Sequence, residues 1–107
     1  DVTVVEGDME STEREILRLV KEQRSGGERV GVLAMSDMDF GADLQLSSGR
    51  NTREFAERLF GALRDFDEQN IDAAFVQFCI QDSYGLAVKN RLYKSAGNKI
   101  IYTEKKI

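Results

Sequence analysis

The chain has 107 residues, 41% of them apolar, and carries 15 basic against 19 acidic side chains for a net charge of -4. That length and apolar content close one core in a single domain, and interspersed charge of net negative sign argues against broad, charge-driven binding of nucleic acid, leaving only a local basic patch open. Histidine is absent, which removes the commonest general base and metal ligand, so the sequence contains no obvious catalytic site.

Residues 2–6, Val-Thr-Val-Val-Glu, are β-branched and short, and Gly7-Asp8 closes them as a turn does, so a first strand is predicted there. A helix over about 12–24 follows: Thr12 and Glu15 stand in capping-box spacing, Ile16, Leu17 and Val20 form an apolar stripe, and Ser25-Gly26-Gly27 supplies the stop. Val30-Gly31-Val32-Leu33-Ala34-Met35 is a nearly continuous apolar run, the pattern of a central strand buried on both faces. After the polar loop 36–42, Asp43-Leu44-Gln45-Leu46-Ser47 alternates with period two, which predicts a half-exposed edge strand. Its connection of about seven residues is shorter than the dozen a parallel crossover usually needs, so its direction stays open.

The most regular helix begins at Asn51, an N-cap with Glu54 three residues on, and places Phe55, Leu59, Ala62, Leu63 and Phe66 on one face. Arg53, Glu57, Arg58, Arg64 and Asp65 occupy the opposite face. Residues 73–79 predict another buried strand, 84–96 a third helix, and 99–102 a last strand. The order β-α-β-β-α-β-α-β implies a three-layer α/β/α, Rossmann-like domain with a mostly parallel five-stranded sheet.

No apolar run approaches 18 residues and no charged-then-apolar leader opens the chain, which points away from a membrane span and a signal peptide and towards the cytoplasm. Cys79, the one cysteine, sits in an apolar run and is expected to be a small buried hydrophobe in a reducing compartment. Entry into a strand directly after Asp1, with no initiating methionine, is what a domain excised from a longer protein would show.

Three constellations bear on chemistry. Asp37, Asp39 and Asp43 faintly resemble a calcium loop, but glycine falls at position five and Ser48 stands at position twelve, where that loop needs glycine at six and a bidentate glutamate, so a solvated loop is expected. Asp82-Ser83-Tyr84-Gly85, between a strand and a helix, is placed where free N–H groups bind phosphate or carboxylate; the competing reading is a simple helix cap with a close-packing glycine. On that helix Arg91 falls within the stripe Tyr84, Ala87, Val88, Leu92, Ser95 and Ala96. An inward arginine needs a partner, either Asp67 in a structural ion pair or an anion held with Lys94, and Arg64 is a further candidate for the same anion.

Taken together and in order, Leu59-Phe60-Gly61-Ala62-Leu63-Arg64-Asp65-Phe66-Asp67, Ile71-Asp72 and the segment Gly85 to Ala96 resemble the C-terminal domain of two-domain L-threonylcarbamoyladenylate synthases. Val4-Val5-Glu6-Gly7-Asp8 and Arg29 to Ala34 are similar to that family's opening strands, so the likeness spans nearly the whole chain. Ser83 stands where the family commonly has the first glycine of Gly-x-Gly, and Ser95 replaces the first of two closing alanines. The resemblance implies a parent enzyme that joins threonine, bicarbonate and ATP into threonylcarbamoyl-AMP and pyrophosphate, for tRNA threonylcarbamoyladenosine. Its ATP and Mg belong to a YrdC-like catalytic domain, so no cofactor is expected here. The expected partners are that domain and the tRNA-modification machinery. The alternative is a free-standing module that binds a nucleotide or small anion through Ser83, Tyr84, Gly85, Arg64 and Arg91.

Overall fold

The computed structural model describes residues 1–79, 89–94, 97 and 99–103. Five strands, β1 (Val2–Glu6), β2 (Val30–Ala34), β3 (Leu44–Ser47), β4 (Ala73–Phe78) and β5 (Ile100–Tyr102), form one sheet in the order β3-β2-β4-β1-β5. Every pairing is parallel. The open question of β3 is thereby settled: residues 35–43 carry the chain back without a helix, tied down where Gln45 accepts from Phe40 N at 3.0 Å and donates to Met38 O at 2.7 Å. Buried Phe40 gives that loop the apolar contact a crossover helix would otherwise provide.

Helix α1 (Met9–Ser25) covers one face and α2 (Thr52–Glu68) the other. A third helical stretch, residues 89–94, joins the α2 side through fully buried Leu92. The period of two explains the layering: Val4, Ala74, Val76 and Phe78 face α2, whereas Val5, Ala73 and Phe75 face α1. On the α2 side Phe55 meets Phe78 edge-on with ring centroids 5.3 Å apart, a favoured aromatic geometry. Gly31 must lack a side chain, since a Cβ there would lie 2.7 Å from the Phe66 ring.

Two helix details differ from the sequence reading. The α1 cap is Asp8, which accepts from Ser11 N at 2.7 Å, in place of the Thr12/Glu15 pair. Thr12 instead lies fully buried in the first turn, its hydroxyl donating back to Asp8 O. The buried stripe runs Ile16, Leu19, Val20, and Leu17 is 39% exposed, because a step of one residue turns the helix by about 100° away from the core-facing line. For α2 the expectation holds: Asn51 accepts from Glu54 N at 2.9 Å, and Phe55, Leu59, Ala62 and Phe66 are buried.

Candidate functional site

In a parallel sheet all strands end on one edge, and ligands of open α/β folds sit there, where neighbouring strands send their connections to opposite faces. Here β1 leads into α1, while β4 beside it precedes the 89–94 helix on the other face. The residues at this edge form two groups.

Beneath the β1 and β5 ends, Glu6 is the hub. Its carboxylate accepts from Lys89 Nζ at 3.1 Å and from the Tyr93 hydroxyl, and its carbonyl accepts from Thr103 N at 2.7 Å. Lys89 Nζ also stands 5.4 Å from the centre of the Tyr93 ring. Burial, then the hydrogen bond to Glu6, pushes the Tyr93 phenol far above its ordinary range and keeps it protonated. A Cβ on Gly7 would collide with Thr103, so glycine is what lets the chain turn from β1 into α1 beside β5.

Beneath the β2 and β4 ends lies fully buried Gln77. Its Oε1 accepts from Met35 N at 2.8 Å and Ser36 N at 3.0 Å, and its Nε2 donates to Thr12 Oγ1 at 2.9 Å and contacts Met9 Sδ at 3.3 Å. Cys79 Sγ stands 3.3 Å from the same Thr12 oxygen. Burial raises the Cys79 thiol, a hydrogen bond with Thr12 works the other way, and the charges of Asp8 and Glu13 raise it further, so the thiol is an unreactive one at neutral pH. Above this network Met9, Met35, Ser36, Asp37 and Arg50 line a crevice of about 240 Å³. Among the described residues the Ser36 hydroxyl is buried without a hydrogen-bond partner, a state that costs about 1–3 kcal/mol when nothing satisfies it. At the mouth Arg50 Nη2 lies 2.5 Å from Asp37 Oδ2, both side chains largely exposed.

The loop carboxylates each have a separate partner. Asp37 pairs with Arg50, Asp39 accepts from Gly41 N at 2.9 Å, and Asp43 accepts from Val30 N at 2.7 Å and faces Arg24 at 3.4 Å. Among the described residues no group of three His, Cys, Asp or Glu side chains could hold a metal.

Of the residues singled out from sequence, Ser83, Tyr84 and Gly85 lie outside the described residues. Arg64 and Asp67 are exposed on α2. Arg91 is also exposed, which corrects its inward placement: Leu92 occupies the buried position and its neighbour turns outward. Sequence reasoning missed Gln77, Glu6, Lys89 and Tyr93. A lone glutamine inside the buried run Phe-Val-Gln-Phe was the available signal, since a buried amide must find partners; Glu6 and Tyr93 are 87 positions apart and carry no local signal.

An all-parallel α/β domain with helices on both faces and a polar carboxyl edge is the class this geometry defines. Residues 1–97 match the family model described as the threonylcarbamoyl-AMP synthase C-terminal domain, and the chain belongs to that family. It is 36% identical over 101 residues to the threonylcarbamoyl-AMP synthase of Pyrococcus abyssi, covering 94% of this chain and 29% of the relative. The Bacillus subtilis threonylcarbamoyl-AMP synthase is 36% identical over 96 residues, 86% of this chain and 28% of its own. The chain therefore spans under a third of the length of these relatives. Among solved structures, the C-terminal Sua5 domain of Pyrococcus horikoshii matches with a TM-score of 0.81 at 36% identity over 95% of both chains. Pyrococcus abyssi Sua5 complexed with L-threonine matches with a TM-score of 0.88 at 35% identity, over 95% of this chain and 29% of that one.

Proposed function

We propose that this domain is the non-catalytic accessory part of a threonylcarbamoyl-AMP synthase. It works beside a YrdC-like catalytic domain that joins threonine, bicarbonate and ATP into threonylcarbamoyl-AMP and pyrophosphate, in the cytoplasm, for the tRNA-modification machinery. The observation that carries this reading is one of extent: the Pyrococcus abyssi relative contains a counterpart of nearly this whole chain within 29% of its own length. ATP and Mg belong to the catalytic partner on this reading.

Physical features support it. The chain has no histidine, and the carboxylates of the 37–43 loop and of Glu6 already have protein partners. Large apolar side chains stand in solvent, Phe60 at 48% and Tyr102 at 61% exposed, and such groups suit burial against another domain. Beside Phe60 the α2 surface is open, since a Cβ on Gly61 would meet nothing within 4 Å.

The test is calorimetric titration of this chain with a separately prepared catalytic half, alongside synthase assays with and without it. Saturable association and a change in synthase turnover are expected. No association, together with turnover that ignores the added domain, overturns the reading.

A further inference from the structure

We propose that the crevice at the carboxyl end of β2 binds the ribonucleoside part of a nucleotide, with the base against Met9 and Met35, the ribose hydroxyls on Asp37, and any phosphate outside beside Arg50. This site is separate from the docking reading above and uses none of the residues that the sequence put forward for anion binding.

Position is the first argument. The crevice lies beyond the end of β2, between the start of α1 and the approach to α2, with Gln77 of β4 bonded to Met35 N and Met9 Sδ at its floor; it is on the carboxyl edge along which open parallel sheets accept ligands. Size is the second. A volume of about 240 Å³ is below the range of about 300–1,000 Å³ common for drug-sized ligands, so it admits a base and the near edge of a sugar and leaves a phosphate at the mouth.

The chemistry of the wall is the third. Met9 and Met35 offer two polarizable thioethers, and thioethers make favourable contacts with aromatic rings. Gln77 Nε2 contacts Met9 Sδ at 3.3 Å, and Met35 Sδ accepts from Cys79 N at 3.4 Å. The Ser36 hydroxyl has no partner among the described residues and reaches a ring-edge nitrogen or carbonyl by rotation about a single bond, which supplies the hydrogen bond it lacks. At the mouth, Asp37 is an acceptor for a vicinal diol, the role an acidic residue plays in dinucleotide sites, and Arg50 is a planar guanidinium suited to stacking or phosphate. Because the Asp37–Arg50 pair is exposed at both ends, opening it to a ligand costs little. The larger groove of about 510 Å³ beside Leu17 and Phe40 lacks this equipment, its Arg24 guanidinium being already committed to Gly41 O and Asp43.

The chain has three methionines, so methyl-labelled protein gives a three-line spectrum in which Met38, packed against the α1-side core, is an internal control. Titration with adenosine and AMP is expected to move the Met9 and Met35 lines to saturation and leave Met38 in place. Asp37→Asn is expected to weaken adenosine about tenfold and to abolish its advantage over 2′,3′-dideoxyadenosine, the loss of one charge-assisted acceptor. Arg50→Ala is expected to weaken AMP more than adenosine. Ser36→Ala, which removes an unpartnered hydroxyl, is expected to keep the fold and weaken both ligands. Absence of saturation at millimolar ligand overturns the proposal, as do shifts confined to Met38 or affinities unchanged in all three variants. Association with the catalytic half is read separately, so either idea can fail alone.

Discussion

The two halves of the carboxyl edge are built on opposite plans. Under β1 and β5, Glu6 gathers Lys89, Tyr93 and Thr103 into a closed, half-buried clamp whose polar groups satisfy each other. Under β2 and β4, Gln77 satisfies its own amide fully yet leaves beside it an open crevice with a Ser36 hydroxyl unpaired among the described residues and a solvent-exposed ion pair at the rim. A closed polar cluster holds elements together, whereas an open one over a rigid floor holds something else. On the proposal above, the first half serves stability and the second recognition, with Gln77 as the floor beneath it.

The sharpest way to break this contrast is Gln77→Ala. It strips Met35 N and Ser36 N of their buried acceptor and leaves a cavity, so urea unfolding should show a loss of about 3 kcal/mol, and a loss within about 0.5 kcal/mol would deny the amide its role as floor. Next is Glu6→Gln, which keeps the shape and weakens the charge-assisted bonds to Lys89 and Tyr93; a loss of about 1–2 kcal/mol is expected in the same measurement. The clamp also has a pH signature. The Tyr93 phenol is raised in the folded state, so its contribution is fully present below the unfolded phenol pKa of about 10 and declines as pH rises above it. Unfolding followed from pH 8 to 11 should show that decline, and Tyr93→Phe should flatten it. Smallest is Arg50→Ala: the exposed rim pair contributes to folding no more than about 0.5 kcal/mol, and a loss as large as that of Glu6→Gln would make the rim a structural element and erase the contrast.

Much of the fold was legible in order. The Asn51 cap, the α2 stripe and the buried runs at 30–34 and 73–78 stand where periodicity put them, because each is a local pattern whose reading needs only a period and a terminus. The α1 start was misjudged because Thr12 and Glu15 imitate a capping box, while the true cap, Asp8, follows a glycine turn. Arg91 was misjudged because an apolar stripe does not say where its edge falls.

The sequence by itself determined an α/β domain, its element order, the faces of α2 and, through its ordered motifs, the family to which it belongs. Only the tertiary structure decided that β4 lies between β2 and β1, that β3 runs parallel without a crossover helix, and that Glu6 meets Tyr93 and Gln77 meets Thr12. Periodicity is a property of neighbours a few residues apart, whereas these contacts join positions 65 to 87 residues apart. Strand order alone brings them together, and strand order is set by which faces bury best against each other.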